Sequence, residues 1–215
     1  MSPAATQDLA KVGQLLNDPK APLKARFRAL FTLKNLGGPE ALEFMFQAFS
    51  DESALLKHEV AYCLGQMGDK TAVPKLSEVL ADASREAIVR HEAGEALGAI
   101  GDLSVLPLLR KHAQDPVKEV ADTCDLAIKR LEYIQSGKAD EEKDKLTKNP
   151  YESVDPAPPL EEKDVGKLEA ILLDESLPLF ERYRAMFSLR NLGTDDSILA
   201  IAKGVLLMNI MNSNR

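Results

Sequence analysis

Two stretches of the sequence, LLKHEVAYCLGQMGD at residues 55–69 and IVRHEAGEALGAIGD at residues 88–102, repeat one pattern. Each contains a basic residue, a histidine and a glutamate in succession, and each ends on Gly-Asp. The two histidines, His58 and His91, lie 33 residues apart in a chain that has three histidines in all. A fixed period of this length is the signature of a repeat architecture.

Each copy has the spacing of an amphipathic helix that ends at a glycine. Val60, Leu64 and Met67 recur at intervals of four and three, and Gly68 follows as a helix C-cap would. A second helical pattern comes after each such glycine, for example TAVPKLSEVLAD at residues 71–82. A single helical pair cannot bury its apolar face alone, so the sequence predicts an all-α solenoid of stacked pairs.

Beyond these copies the repeat degenerates and then stops. A fourth unit at residues 116–134 carries Val120 and Ala121 where the others carry His and Glu, and we interpret it as a cap on the first stack. The segment 135–160 is charged and then Pro-rich, which predicts a solvated linker.

A larger duplication follows the linker. Residues 8–37 match residues 164–193 without a gap, and 14 of the 30 positions are identical. We therefore predict two tandem halves, with an N-terminal half at 1–134, the linker at 135–160 and an incomplete second half at 161–215. Arg26, Arg28, Arg182 and Arg184 recur between the halves, and buried stems with ion pairs are the interpretation that we favour for them over substrate contact.

Composition excludes several classes of protein. A net charge of −7 argues against a nucleic-acid partner and fits a basic partner or none. No run approaches the roughly 18 apolar residues of a membrane helix, and the N-terminus has no apolar signal core. We expect no membrane partner and a cytoplasmic protein, in which Cys63 and Cys124 are buried thiols.

The paired His-Glu residues are the strongest chemical signal. Equivalent positions on stacked helices lie side by side, so His58 and His91 could converge on one ion, whereas adjacent residues on one helix diverge by about 100°. Imidazole with carboxylate suits non-haem iron among other metals. The alternative for a lone His-Glu pair is a surface residue or a satisfied core group. His112 has no repeat counterpart, and we expect it to be exposed.

Other catalytic patterns are absent from the sequence. Tyr62 and Glu95 occupy the fourth position after each histidine, so neither pair extends to the HExxH of zinc proteases. Gly94 and Gly98 do not form a phosphate-binding loop, and we interpret them as allowing close helix packing.

The motifs KHEVAYCLGQMGD, VRHEAGEALGAIGD, RFRALFTLKNLGG and YESVDPAPP together resemble deoxyhypusine hydroxylase, over roughly residues 8–204. The resemblance implies a HEAT-like repeat fold with two similar halves around a non-haem centre of two Fe ions. It also implies a monooxygenase that uses dioxygen to hydroxylate the deoxyhypusine side chain of translation initiation factor five A, which completes hypusine. His58, Glu59, His91 and Glu92 match the first two His-Glu motifs of the family and would be iron ligands or their immediate partners.

The sequence departs from the family pattern near its end. The family has four His-Glu motifs, and the duplication predicts the third near position 214, which is Asn214. The apolar tail from Val205 to Met211 no longer follows the repeat. We interpret the chain as a truncated form that lacks half of the iron ligands, so its activity alone is in question.

Three alternatives remain open at this point. The chain could be a non-catalytic HEAT-repeat module that binds a protein without turning it over. Two copies of the first half could instead pair as a homodimer and rebuild a site of four His-Glu pairs. Finally, an exposed apolar tail could make the protein itself unstable.

Overall fold

The structure, a computed structural model, describes residues 3–142 and 144–212, with side chains for 8–142 and 144–205. Every regular element in these ranges is a helix, as the repeat predicts. The α-helices are α1 (Pro3–Leu16), α2 (Leu23–Leu36), α3 (Pro39–Gln47), α4 (Ala54–Met67), α5 (Val73–Ala81), α6 (Ala87–Ile100), α7 (Leu106–His112), α8 (Lys118–Gln135), α9 (Lys138–Glu142), α10 (Val165–Leu173), α11 (Leu179–Leu192) and α12 (Asp195–Asn212). None of the helices described is long and apolar enough to cross a membrane.

Four helices have the same length and the same kind of ending. α2, α4, α6 and α11 each contain 14 residues, and each is followed by the glycine at which the sequence predicts its end. Gly68, Gly101 and Gly193 adopt the left-handed conformation, which costs glycine little because it has no Cβ. The predicted helix endings are therefore confirmed, and we number positions in these four helices from their first residue.

A basic residue at position four ties each of these helices to its neighbours. The Nε of Arg26, Arg90 and Arg182 donates to the carbonyl ten residues earlier, at 2.8, 3.1 and 2.9 Å. These carbonyls lie in the last turn of the preceding helix, where backbone acceptors lack intrahelical donors. Arg26 is buried and pairs with Asp51, as the interpretation of the repeated arginines expects, whereas Arg28 is exposed.

Glycines bring the helices of the first compact unit, Met1–Ile128, close together. α2, α4 and α6 pack side by side. α1 and α3 both pack against α2, and α5 packs against α6. A Cβ built on Gly65 of α4 would lie 2.7 Å from the Cα of Ala96 on α6. A Cβ on Gly98 would lie 2.8 Å from that of Ala127 on α8. Glycine at 98 therefore permits close packing, as predicted.

The structure corrects the register of the degenerate fourth unit. The N–H of Ala121 bonds to Val117, as that of Arg90 bonds to Glu86, so Ala121 is at position four of α8. The buried residues Val120, Cys124, Ala127 and Leu131 of α8 repeat Val89, Ala93, Ala96 and Ile100 of α6. Asp122 and Thr123 therefore occupy the His and Glu positions, and the alignment of Val120 and Ala121 with them is wrong. The connection from α6 to α8 is shorter than that from α4 to α6, and burial rather than residue identity fixes the register.

The second compact unit, Lys129–Arg215, is built around α10, α11 and α12. Its core contains Leu168, Leu172, Ala185, Leu189 and Ala200. Part of the segment expected to be a solvated linker bonds to α11: Asp155 accepts two hydrogen bonds from Arg190, at 2.8 and 2.6 Å, and Ala157 is fully buried. The domain limits 1–134, 135–160 and 161–215 stay a prediction.

The C-terminal tail is described only in part. The backbone of α12 continues to Asn212, and Val205 is exposed. The side chains from Leu206 to Met211, and the whole of Asn214, lie outside the described residues.

Candidate metal centre

Helices α4 and α6 bring three of the four predicted site residues together. His58 is at position five of α4, and His91 and Glu92 are at positions five and six of α6. The Glu92 Oε2 lies 3.1 Å from His58 Nε2 and 3.9 Å from His91 Nε2. The ring centroids are 5.6 Å apart, and the three residues offer ligand atoms within 4.8 Å of one another. This group could hold a metal ion.

The convergence depends on the interface between α4 and α6 rather than on either helix alone. Neighbouring residues on one helix point about 100° apart, so His91 and Glu92 diverge. Glu92 instead reaches towards α4 and meets His58, one repeat earlier. The absence of a side chain at Gly65 lets the two helices approach closely enough for this contact. The repeat period and the glycine together position the group.

Glu59, the fourth predicted residue, lies beside the group and not in it. Its Oε1 is 3.7 Å from the Nδ1 of His58, whereas Glu92 contacts the other ring nitrogen, Nε2. The side chain of Glu59 is 25% exposed, whereas that of Glu92 is 6% exposed. The two glutamates of the His-Glu pairs are therefore not equivalent: Glu92 faces both imidazoles and Glu59 faces one.

The two histidines also differ in their electrostatic environment. The hydrogen bond to Glu92 raises the pKa of His58, although burial acts in the opposite direction. Burial lowers the pKa of His91, against the attraction of Glu92. At neutral pH His91 is therefore a neutral imidazole with one free lone pair, which is the form that binds a metal.

The donor set fits a metal ion on chemical grounds. Glu92, a nearly buried carboxylate, lies beside the two imidazoles, so the group provides two histidine nitrogens and one carboxylate oxygen. This combination, arranged on one face, is typical of non-haem iron sites that keep open positions. The buried Nδ1 of His58 has no hydrogen-bond partner among the described residues, so this ring is not satisfied as an ordinary core histidine would be.

Known proteins resemble the chain over nearly all of its length. The family model for HEAT repeats matches residues 9–88, and the model for the PBS lyase HEAT-like repeat matches 89–115 and 181–206. Deoxyhypusine hydroxylase of Danio rerio is 59% identical over 94% of this chain, and that of Homo sapiens is 59% identical over 93%. The solved structure of human deoxyhypusine hydroxylase in complex with glycerol superposes with a TM-score of 0.87, covering 93% of this chain and 67% of that one. The chain belongs to the deoxyhypusine hydroxylase family.

Membership of the deoxyhypusine hydroxylase family confirms the HEAT-repeat fold and the resemblance found in the sequence. The chain spans 66% of the length of the Danio rerio hydroxylase and 64% of the human one. The activity of the whole protein is therefore taken up below as a proposal.

One residue near the site escaped the analysis of the sequence. Thr123 on α8 places its Oγ1 3.4 Å from the Nδ1 of His91. The misplaced register of the fourth unit hid this residue, because it assigned the glutamate position to Ala121. The burial pattern of α8 would have provided the missing signal.

The remaining candidates lie away from this group. Cys63 and Cys124 are fully buried, as predicted, and burial raises the pKa of each thiol to about 12. The expectation that His112 is exposed is wrong: it is buried, with its Nδ1 3.3 Å from Asp115. His112 faces inward because Asp115 is held beside it by Arg90, which the sequence pattern did not reveal.

Proposed function

We propose that this chain contributes His58, His91 and Glu92 to the iron centre of a deoxyhypusine hydroxylase. The reaction is hydroxylation, with dioxygen, of the deoxyhypusine side chain carried by translation initiation factor five A. The observation that carries the proposal is the group of two imidazoles and one buried carboxylate between α4 and α6. Family membership supports the reaction, and the chemistry of this group supports its role in holding the metal.

The chain's own residues would divide the work of holding the metal. His58 and His91 would each present one ring nitrogen, and Glu92 would present an oxygen between them. Glu59 would stay beside His58 as a partner on the far edge of its ring. The complete site is proposed to hold two Fe ions, which when bound supply the activation of dioxygen that C–H hydroxylation requires.

Proton movement at His58 is part of metal binding in this proposal. The Nε2 of His58 donates to Glu92, and this bond raises the pKa of His58. A ring nitrogen binds a metal only without its proton, so binding would release a proton from His58 when this ring is the imidazolium that Glu92 favours. Iron affinity would therefore weaken as the pH falls.

The charge of the site suits a cationic side chain on a protein substrate. Glu59, Glu92 and Glu95 all act on His58, and Glu119 acts with Glu92 on His91. The chain as a whole carries a net charge of −7. A negative surface of this kind attracts and orients an amine-bearing side chain on a basic partner. A cytoplasmic location, where free thiols such as Cys63 and Cys124 persist, agrees with this partner.

The test is the iron content of the purified chain, expressed in iron-replete medium and measured by elemental analysis. We expect about one iron or more per chain, and its loss in the double variant His58→Ala, His91→Ala. His112→Gln is the matched control, because the third histidine lies outside the group. Oxygen-dependent conversion of deoxyhypusine to hypusine on the factor then tests the reaction.

The contrary result is an iron content no higher than that of the double variant. It would favour a non-catalytic HEAT-repeat module that binds its protein partner. Size-exclusion chromatography with and without iron tests the homodimer alternative, because a homodimer that rebuilds the site would form only in the iron-loaded protein.

A further inference from the structure

We propose that Thr123 is a positioning residue for His91. In this proposal its hydroxyl oxygen accepts a hydrogen bond from the Nδ1–H of His91, which leaves the Nε2 lone pair directed at His58 and Glu92. The proposal rests on the function proposed above, because it assigns Nε2 of His91 as the ligand atom.

The contact itself is the first support. The Oγ1 of Thr123 lies 3.4 Å from the Nδ1 of His91, on the ring edge away from Glu92. This distance is at the long end for an N–H···O bond. Contacts around a catalytic group are commonly long before the site is loaded and shorten when it is filled.

The repeat provides an independent reason to regard the contact as built into the fold. His58, at position five of α4, contacts Glu92 at position six of α6. His91, at position five of α6, contacts Thr123 at position six of α8. Each histidine therefore contacts position six of the next helix in the repeat. This position carries a carboxylate in α6 and a hydroxyl in α8.

In this proposal, the acceptor role of the Thr123 hydroxyl decides which nitrogen of His91 is free. A neutral imidazole has one N–H and one lone pair, and only the nitrogen with the lone pair can bind a metal. Histidines that bind metals usually donate their other N–H to a nearby acceptor, which fixes the tautomer and the ring orientation. A threonine hydroxyl has two lone pairs, so the Thr123 oxygen can be the acceptor of this bond.

The surroundings hold Thr123 in place. Its branched Cβ restricts the side chain to few rotamers on a helix. A Cβ built on Gly94 would lie 3.8 Å from the Cγ2 of Thr123 and 3.3 Å from the Sγ of Cys124, so glycine makes room for α8 at this point. The neighbouring Asp122 pairs with Lys118 on its own helix and does not compete for the ring.

The experiment compares Thr123→Val, which keeps the shape but removes the hydroxyl, with Thr123→Ser, which keeps the hydroxyl. Thr32→Val is the matched control, because Thr32 is an exposed helical threonine that bonds only its own helix at Arg28. The first readout is the tautomer of His91 in the metal-free chain, from two-bond proton–nitrogen correlation spectra of protein with 15N-labelled histidine. Spectra of His58→Gln and His112→Gln assign the three rings.

The second readout is the affinity for ferrous iron, titrated without turnover. We expect the Nδ1–H tautomer in the native chain and in Thr123→Ser, and a shift towards Nε2–H in Thr123→Val. The iron affinity of Thr123→Val should fall about 10- to 100-fold, as for the loss of other groups that orient a ligand. Thr123→Ser and Thr32→Val should remain within about threefold of the native chain.

The outcomes separate this proposal from the proposed function. A native Nε2–H tautomer, or an iron affinity unchanged in Thr123→Val, overturns the positioning role and leaves the iron site standing. If no form binds iron, the function proposed for the site fails, and the tautomer shift alone then decides whether Thr123 orients His91.

Discussion

Helices α4 and α6 carry a different pair of residues at positions five and six from α2 and α11. All four helices have 14 residues and a basic residue at position four. At positions five and six, α4 and α6 carry His and Glu, whereas α2 and α11 carry an aromatic residue and an arginine, Phe27-Arg28 and Tyr183-Arg184. The helical frame is thus common to all four helices, and the candidate chemistry depends on two adjacent positions within it.

In α11, the residues at positions five and six make packing and charge contacts instead. Arg184 donates to Glu142 at 2.8 Å and lies over the ring of Tyr133, with its Cζ 5.1 Å from the centroid. Tyr183 packs edge-on against Phe187, with their centroids 6.2 Å apart. In α4 and α6 these positions instead direct donor atoms into one small volume. The basic residue at position four is present in both helices beside these donors: Arg90 bonds the carbonyl of Leu80, and Lys57 pairs with Glu86.

Removal of the shared arginine should have the largest effect on stability. Arg90→Ala breaks the pair with Asp115, whose side chain is 5% exposed, and leaves that carboxylate buried without its partner. We expect a loss of about 3–5 kcal/mol in the free energy of unfolding, measured with denaturant.

Lys57→Ala is the comparison for Arg90→Ala, at position four of α4. Its partner Glu86 is 43% exposed and can be solvated when the lysine is removed. We expect a loss of about 1 kcal/mol. Equal losses in the two variants would contradict the view that burial of the acidic partner sets the strength of the position-four contact.

The ion pair between Arg90 and Asp115 should also make the free energy of unfolding depend on pH in the acid range. The hydrogen bond from Arg90 lowers the pKa of Asp115 to about 2. Because the folded pKa lies below the unfolded value of about 3.9, the ionised carboxylate stabilises the fold above pH 4 and this stabilisation is lost between about pH 4 and pH 2. It amounts to about 2–3 kcal/mol.

The free energies of unfolding of the native chain and Asp115→Asn should therefore converge by about this amount as the pH falls from 5 to 2. The exposed Asp125 provides a control on the neighbouring helix. A gap between the native chain and Asp115→Asn that changes with pH no more than the gap for Asp125→Asn would refute the assignment.

Gly65→Ala should reduce the free energy of unfolding less than Arg90→Ala does, but it should also reduce iron affinity. The new Cβ would lie 2.7 Å from the backbone of Ala96, so α4 and α6 must separate. Overpacking costs about 1–3 kcal/mol, and the better helix propensity of alanine offsets about 1 kcal/mol of it. Because Glu92 reaches His58 across this interface, iron affinity should fall as well.

Gly166→Ala is the matched control for Gly65→Ala. Its Cβ would approach the side chain of Asp164, the N-cap residue of α10, at 3.3 Å. It should leave iron affinity unchanged and shift stability by less than about 1 kcal/mol. An undiminished iron affinity in Gly65→Ala would show that close approach of α4 and α6 does not position the group.

The sequence predicted the helical repeat more completely than it predicted the candidate metal site. Helix endings at Gly68 and Gly101 followed from local backbone preferences, which glycine expresses directly in the sequence. The grouping of His58 with His91 followed from the repeat period, because equivalent positions on stacked helices must be neighbours. The burial of His112 did not follow, since it depends on Arg90 and Asp115 from other elements.

By itself the sequence determined the helical repeat, the family resemblance and the identity of the four candidate residues. Only the tertiary structure distinguished Glu92, which faces both histidines, from Glu59, which faces one. It alone also brought Thr123 to the ring of His91. The physical reason is that helix periodicity is local and repeats in the sequence, whereas the approach of one helix to the next depends on glycines and core side chains that belong to different repeats.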